Sequence, residues 1–318
     1  SGTIKRRYKI SLSSASIRNV LSDLEREGFL SQPHTSAGRI PTDKGYRYYV
    51  DSLTRARELE EEEREFIEEE YNFNRVEMEE IIEKTSHVLS QITEQAGIIL
   101  FPSFQSSRFK RIQLVLVAPQ VLLVVLVTGA GLIKNKLVRL EEDINQDELD
   151  KMARFLNDEL KNMSLSEVRD HLRKKIKQET GPFFFVSRRA AEIIRMAIAR
   201  SYPLRISLDG TSYILDKPEF QNMARTRAII RLLENKEAIQ ELFGRDMSEQ
   251  NMKVYIGKEN KSEYLNDCTF ISQGYCLGKK VVGRLGVIGP RRMKYARVMS
   301  LVDYISNVVS RNLDRINH

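Results

Sequence analysis

The residues with the clearest chemical signature lie at the start of a predicted helix near the N-terminus. Arg18 and Asn19 stand there among small polar residues, in the sequence SSASIRNVLSDLEREG of residues 13–28. In the DNA major groove Arg favours guanine and Asn favours adenine, because each can make two hydrogen bonds with that base. A helix start with this pair indicates base recognition.

A polar loop and a basic arm follow this helix. The loop, residues 32–38, contains Pro, Ser and Gly and therefore turns rather than packs. Arg39 comes directly after it and, with the loop, can lie along a phosphate backbone or in a minor groove. A helix followed by a short hairpin with a basic arm is typical of a winged-helix DNA-binding domain.

The elements that position these residues can be read from caps and apolar spacing. Ser13 or Ser14 can cap the helix, since a hydroxyl oxygen accepts from the free N–H groups of the first turn. Gly28 occupies a C-terminal cap position, Phe29 begins a short strand, and Thr42 with Asp43 can cap the next helix. One apolar stripe faces the core at helical spacing; its members are Ile17, Val20, Leu21 and Leu24.

Three stretches carry a close resemblance to a known family. Residues 12–19 (LSSASIRN), 32–42 (QPHTSAGRIPT) and 44–49 (KGYRYY) are similar to the signature of the HrcA heat-inducible transcription repressors of bacteria. The match is dense over some 40 positions. Elsewhere it rests on the order of elements and on weaker local matches, such as residues 208–212 (LDGTS).

The resemblance implies a repressor of chaperone operons that binds an inverted-repeat operator in double-stranded DNA as a homodimer. It also implies assistance from the GroEL chaperonin. No catalytic residue, cofactor or metal is expected. The DNA-binding residues expected from motif and helix pattern together form three groups. Ser14, Ser16, Arg18, Asn19 and Ser22 read bases, His34, Thr35, Ser36 and Arg39 form the wing contacts, and Lys44 and Arg47 contact the phosphate backbone.

Charge is distributed unevenly along the chain. The net charge is +7, and residues 1–57 hold 11 Lys or Arg against 5 Asp or Glu, whereas residues 58–95 hold 3 against 14. A basic segment beside an acidic one fits a nucleic-acid-binding module on a solvated helical connector. Only two Cys occur, which excludes a disulfide scaffold and indicates a cytoplasmic protein. The longest apolar run, residues 114–128, is interrupted by Pro119 and Gln120, so no membrane span is expected.

The remaining pattern predicts an α+β multidomain protein. A winged helix-turn-helix head spans 1–57 and an acidic helical linker spans 58–95. Three strand-like runs between 112 and 140 form an antiparallel meander, a mainly helical block follows, and three more strands and a final helix complete the chain. This order indicates one sheet domain, 96–144 and 250–318, with an insertion at 145–249. By resemblance the first is GAF-like and the second mediates dimerisation.

A winged-helix core needs three helices, and only one complete helix precedes the wing. Residues 1–10 read as the end of a helix. We therefore expect the first helix of that core, with most of the second, to lie upstream of Ser1.

Other chemistry finds little support in the sequence. The four His, at 34, 87, 171 and 318, do not pair at metal-ligand spacing. Two Glu and His pairs, four residues apart, are expected to lie on the surface of helices; they are Glu83 with His87 and Glu167 with His171. The thiols of Cys268 and Cys276 are expected to be buried. The absence of an activated nucleophile also argues against an enzyme acting on nucleic acid. The main alternative is a winged-helix regulator that senses a small molecule through its GAF-like domain.

Overall fold

A computed structural model gives the fold, which is a mixture of helices and antiparallel sheets. It describes residues 2–9, 11–34, 38–53, 57–71, 78–100, 108–129, 133–140, 142–165, 167–168, 170–171, 193, 206–247 and 249–316. The α+β class predicted from the sequence is confirmed. The helix predicted at 183–199 lies outside the described residues, apart from residue 193.

The first unit, residues 2–53, is called the head below. It contains α1 (Gly2–Tyr8), α2 (Ser14–Arg26), the two-stranded antiparallel pair β1 (Leu30–Ser31) and β2 (Ile40–Pro41), and α3 (Asp43–Tyr48). One π-helical turn, Tyr49–Leu53, follows α3. The order helix, strand, loop, strand, helix predicted for residues 13–49 is confirmed. The segment interpreted as the end of a helix is the seven-residue α1.

Three elements lead from the head into the main sheet. They are α4 (Glu61–Glu70), α5 (Met78–Thr93) and the strand β3 (Ala96–Leu100). The two helices were predicted, but β3 was not. All five residues of β3 are buried, so it has none of the alternation that marks a half-exposed strand.

The meander predicted from the sequence is present and forms a sheet of its own. It consists of β4 (Phe109–Ala118), β5 (Val121–Thr128) and β6 (Ile133–Arg139), paired antiparallel in that order. The helix α6 (Gln146–Glu159) covers one face. Leu149 and Leu156 of α6 pack there against Leu122 and Val124 of β5. We call β4 to α6 the small-sheet unit.

The main sheet has five antiparallel strands in the order β7, β3, β10, β9, β8. Its later strands are β7 (Ile206–Asp209), β8 (Lys253–Ile256), β9 (Cys268–Leu277) and β10 (Lys280–Pro290). The later helices are α7 (Thr211–Leu215), α8 (Met223–Glu234), α9 (Lys236–Gly244) and α10 (Tyr295–Ile316). We call the main sheet with α4, α5 and α7 to α10 the body.

Helices cover both faces of the main sheet. On one face α5 and α10 pack against Ile99, Tyr275 and Leu285. On the other face α7, α8 and α9 pack against Ile98 and Phe270. Because neighbouring residues of one strand point to opposite faces, β3 supplies Ile99 to the first core and Ile98 to the second.

The strand pairing places the insertion earlier in the chain than the sequence analysis did. Leu100 at the end of β3 pairs with Ile206 at the start of β7. The chain therefore leaves the main sheet after residue 100 and returns to it at residue 206. The strands at 109–139 form the small-sheet unit and do not join the C-terminal strands in the main sheet. Residues 206–243, by contrast, pack on the main sheet. This differs from the predicted 96–144 and 145–249 segments, because sequence order cannot reveal which strands pair.

The acidic segment is helical as predicted, but one of its faces is packed and not solvated. Ile67 of α4 and Tyr71 just after it lie in the main core with α10. Glu63 is also buried, and one of its carboxylate oxygens accepts a hydrogen bond from Arg297 Nε at 2.6 Å. Burial raises the pKa of Glu63, but the hydrogen bonds from Arg297 and from the Glu60 N–H, together with the nearby positive charges, outweigh burial and the pKa is lowered. The segment is an integral part of the body.

Asp209 and Gly210 do not form the hairpin turn that their sequence favours. Asp209 ends β7, and Gly210 begins α7 with a left-handed backbone, φ +73°. A Cβ at Gly210 would also overlap the side chain of Ser90. The turn joins a strand to a helix because the following apolar residue, Ile214, is buried in the core.

Candidate nucleic-acid interface

The helix α2 presents the predicted base-reading residues on its outer side. The Ser13 hydroxyl accepts from the Ser16 N–H at 3.0 Å and caps the helix, as predicted. Ile17 is 5% exposed and points into the head. Four of the predicted base-reading residues have exposed side chains: Ser14, Arg18, Asn19 and Ser22.

Ser16 differs from the other members of this group. It is half-buried, and its hydroxyl lies 2.8 Å from that of Ser13, within hydrogen-bond distance. The Ser16 side chain therefore already has a partner in the cap. Its assignment to base reading stays a prediction, as it does for Ser14, Arg18, Asn19 and Ser22.

The wing arm is attached to the back half of α2. Arg39 Nε donates to a carboxylate oxygen of Glu25 at 2.7 Å, and its Nη2 donates to the Ser22 hydroxyl at 3.1 Å. These contacts set the direction of the arm relative to the exposed face of α2. His34 is exposed at the start of the loop, whereas Thr35 and Ser36 lie outside the described residues.

The two cations of α3 have different surroundings. Lys44 is exposed; its Nζ donates to the Glu27 carbonyl at 2.7 Å and lies 4.4 Å from the centroid of the Phe29 ring. Arg47 instead faces the body. Its Nε donates to Glu259 Oε1 at 3.0 Å, and its Nη2 pairs with the other Glu259 oxygen and donates to the Val254 carbonyl at 2.5 Å. The hydrogen bonds that Arg47 donates to Glu259 raise the pKa of Arg47.

Arg47 is therefore engaged by protein groups in this structure. A phosphate contact, as the sequence analysis expects of it, would require these hydrogen bonds to break. Arg47 Nη1 also donates to Asp51, four residues on, at 3.1 Å. The pattern of residues 44–49 could not distinguish the two roles, because the partners of Arg47 on the body, Glu259 and Val254, lie more than 200 positions away along the chain.

The remaining chemistry-bearing residues are held in structural contacts. His87 pairs with Asp209 at 2.6 Å and His171 with Glu159 at 2.8 Å, so the expected pairings with Glu83 and Glu167 are wrong. Cys268 and Cys276 are buried free thiols, as predicted, and burial raises the pKa of both. Within the described part of the chain, no cluster of three His, Cys, Asp or Glu could hold a metal ion. Nor does any helix there have the length and apolarity needed to cross a membrane.

A second surface, not identified from the sequence, lies on the small-sheet unit. The face of its sheet opposite α6 carries apolar side chains that nothing in the described chain covers. Val117 is 57% exposed, Ile133 64% and Leu137 62%, and Val115 and Leu123 lie between them in the strand register. Contiguous apolar surface of this kind marks interaction sites. We call it the apolar sheet face.

The chain matches one family over most of its length. The family described as HrcA protein C terminal domain matches residues 79–299. The Heat-inducible transcription repressor HrcA of Syntrophobacter fumaroxidans is 38% identical over 316 residues, which cover 99% of this chain and 91% of the relative. The protein of the same name from Desulforamulus reducens is 36% identical with the same coverage.

One solved structure has the same overall fold. It is a protein described as hypothetical, solved at 2.2 Å resolution, with a TM-score of 0.57 and 24% sequence identity. The match covers 97% of this chain and 90% of the other. It extends through the head, the small-sheet unit and the body, so these units occur together in another protein.

Proposed function

The chain belongs to the HrcA family of heat-inducible transcription repressors, and from this premise we propose that it represses heat-shock genes by binding DNA through its head. The observation that carries this proposal is the 38% identity to a named repressor over 99% of the chain. The exposed polar face of α2, with Arg18 and Asn19, supports the same assignment.

In this proposal the head is a winged helix-turn-helix domain and α2 is the recognition helix. Its N-terminal half enters the major groove, where Ser14, Arg18 and Asn19 contact bases. Arg39 and the loop with His34, Thr35 and Ser36 contact the neighbouring backbone or minor groove. Lys44 contacts phosphate, since its ammonium group is exposed and would exchange a hydrogen bond to the Glu27 carbonyl and a contact with the Phe29 ring, with no ion pair to break among the described residues.

The operator is an inverted repeat bound by a homodimer. A two-fold dimer places two recognition helices on successive major-groove faces, about 34 Å apart or a multiple of it. We assign the dimer contact to the apolar sheet face, because covering exposed Val117, Ile133 and Leu137 removes apolar area from water. The small-sheet unit is then the inserted dimerisation domain, and the body is the GAF-like domain.

Repression in this mechanism requires the folded dimer. The bound repressor occludes the promoter of a chaperone operon in the cytoplasm, and heat restores transcription by removing active repressor. The GroEL chaperonin is proposed to assist folding of the chain, on the basis of the family resemblance. Refolding after dilution from urea should then give a higher yield of operator-binding protein with GroEL and ATP than with ATP alone.

The first test is DNA binding measured by fluorescence anisotropy. The chain is titrated onto an inverted-repeat chaperone operator and onto a scrambled duplex at one stated salt concentration, because affinity for DNA depends steeply on salt. Binding to the operator at least about 1,000 times tighter than to scrambled DNA is expected of a specific regulator. Equal affinity for the two duplexes, from protein with the correct circular dichroism spectrum, would contradict the proposal.

Two single variants separate base reading from phosphate contact. Arg18→Ala should weaken operator binding by about 1–3 kcal/mol and leave scrambled DNA nearly unaffected. Lys44→Ala should weaken both by a similar factor and lower the salt slope by about 1. An equal loss on both duplexes for Arg18→Ala would remove Arg18 from the base-reading set.

The dimer assignment is tested by placing charge on the apolar sheet face. The double variant Val117→Asp, Leu137→Asp should sediment as a monomer and lose specific operator binding. Met223→Asp is the matched control, because Met223 is 68% exposed on the body, away from that face. A double variant that remains dimeric would show that another surface holds the two copies together.

The small-molecule sensor is not favoured as the primary function, since the relatives are named for heat-inducible repression. A thermal-shift screen gives a direct check, because a ligand that binds the folded chain stabilises it by mass action.

A further inference from the structure

The helix α3 connects the head to the body through a second ion pair besides that of Arg47. Asp43, its first residue, accepts from Arg291 Nη1 at 2.8 Å and from the backbone N–H of Lys258 at 3.1 Å. Both oxygens of its carboxylate are thus used by the body. Asp43 and Arg291 are 23% and 29% exposed, so the pair is shielded from most of the solvent.

The body is shaped to receive the Asp43 carboxylate. Gly257, just before Lys258, has a left-handed backbone with φ +53°, and a Cβ there would overlap that carboxylate. On the other side Arg291 is held in place by Asp267, which accepts from its Nη2 at 3.1 Å. The body therefore offers a preformed arginine and a free backbone N–H to one acidic side chain of the head.

Arg47 repeats this arrangement one helical turn later with the charges reversed. Its guanidinium pairs with Glu259, whose carboxylate also accepts from the Ile256 N–H at 2.9 Å. Between the two pairs, the ring of Tyr46 lies 6.2 Å from that of Tyr295. We call the contacts of Asp43 and Arg47 with Arg291, Lys258 and Glu259 the clasp.

The clasp is mechanically coupled to the recognition helix. The Thr42 hydroxyl, next to Asp43, donates to the Gly28 carbonyl at 2.7 Å, and the Thr42 N–H donates to the Phe29 carbonyl at 3.0 Å. Gly28 and Phe29 follow the C-cap residue of α2, Glu27, and Arg39 ties the wing arm to Glu25. A change in the angle of α3 against the body would therefore turn α2 and the wing with it.

We propose that Asp43 and Arg47 are positioning residues that fix the orientation of the head on the body, and that the clasp thereby sets the half-site spacing the dimer accepts. This inference rests on the proposed function, because spacing has meaning only for a dimer on an inverted repeat. This positioning role replaces the phosphate contact that the sequence motif predicts for Arg47. In one pair the head carries the negative charge, and in the other the head carries the positive charge. The two pairs together therefore select one orientation of the head, since a head turned the wrong way would bring like charges together.

The main test measures spacing selectivity with substitutions on the body, far from the base-reading face. Affinities of wild type, Glu259→Gln and Arg291→Ala are compared on the operator and on the same operator with two base pairs inserted between half-sites. Wild type should prefer the native spacing, and each variant should reduce that preference at least about fivefold, the effect of roughly 1 kcal/mol. Arg311→Ala is the control, because it removes an exposed ion pair with Glu68 outside the clasp.

A charge swap distinguishes positioning from a fold defect. Both swap variants are made in an Asp267→Asn background, because Asp267 would otherwise face a like charge at residue 291. There Asp43→Arg alone places like charges together and should lose spacing selectivity, and Asp43→Arg with Arg291→Asp should regain at least half of it. Failure of the swap to regain selectivity, with both variants folded, would overturn the proposal. The salt dependence of DNA binding gives a second criterion for the role of Arg47. If Arg47→Ala lowers the salt slope by about 1, Arg47 contacts phosphate and the positioning role is wrong.

Head orientation can also be measured without DNA. Spin labels at Val20→Cys on α2 and Tyr264→Cys on the body, both exposed positions, report their distance by pulsed electron paramagnetic resonance. The native Cys268 and Cys276 are buried, and dilution with unlabelled chain isolates distances within one chain. A narrow distribution in wild type that broadens in Glu259→Gln is expected, and an unchanged narrow distribution would overturn the clasp. If wild type binds no operator, the proposed function fails, and the spacing role with it, whereas the label distances still decide whether the clasp exists.

Discussion

Replacement of Arg284 by Met should lower the thermal stability of the repressor more than any exposed arginine would. Arg284, on β10, is fully buried, and its guanidinium donates to four backbone carbonyls and to one hydroxyl. The carbonyls belong to Asp246 at 2.9 Å, Glu249 at 2.5 Å, Asn251 at 3.1 Å and Ser272 at 3.1 Å. These bonds fix the segment before β8 against the main sheet.

The magnitude follows from two opposing effects. Burial deprives the charged guanidinium of its solvation by water and lowers the pKa of Arg284. Replacing the arginine relieves this cost. It also leaves carbonyls without donors in the interior, at about 1–3 kcal/mol for each group that water cannot reach. We expect a net loss of about 3 kcal/mol, which at about 2.1 cal/mol/K of unfolding entropy per residue corresponds to a fall in Tm of roughly 4–5 °C for 318 residues.

Differential scanning fluorimetry of Arg284→Met, beside Arg311→Met as the matched control, measures this effect. The control removes a half-exposed pair with Glu68, worth at most about 1 kcal/mol. Operator binding on heating should be lost at a correspondingly lower temperature in Arg284→Met, because repression needs the folded chain. Equal Tm values for the two variants would refute the reasoning that the carbonyl cage is a stabilising contact.

Three further predictions concern the framework around the site. Thr42→Ala should cost about 1 kcal/mol in urea unfolding, because the Thr42 hydroxyl caps α3 by accepting from the Gly45 N–H, whereas Thr42→Ser should keep the cap; equal losses would exclude it. Gly286→Ala should destabilise the chain by more than about 2 kcal/mol, since a Cβ would overlap the Ile271 carbonyl, whereas Gly244→Ala, with open space around it, should be neutral. Glu63→Gln should be less stable than wild type at pH 7, because the lowered pKa of Glu63 means that its ionised form stabilises the fold. That stability is fully present above the unfolded value near 4.5 and is lost as the pH falls through the folded pKa, so a stability difference that does not shrink as the pH is lowered below 4.5 would point to lost packing.

The local structure of the head could be predicted because its signals lie close together in the sequence. Ser13 and Thr42 cap the helices they were expected to cap, and Gly28 has the left-handed backbone, φ +79°, that a helix end favours. The motif within residues 12–49 indicated the family, which the relatives confirm. Caps depend on neighbours within about four residues, so one sequence carries them in full. The apolar stripe of α2 was predicted less well, since Ile17 is buried but Val20 is 50% exposed.

The pairing of strands and the partners of charged residues were decided only by the tertiary structure. β3 gave no strand signal because both its faces are buried, and its pairing with β7 moved the insertion to the residues between 100 and 206. Arg47 sits in a motif typical of DNA binding, yet Glu259 and Val254 hold it against the body. The apolar sheet face also went unrecognised, since its Val and Leu residues resemble core residues in sequence. Local sequence sets the type of an element through short-range hydrogen bonds and sterics, whereas burial and ion pairing depend on which distant segments meet once the chain is folded.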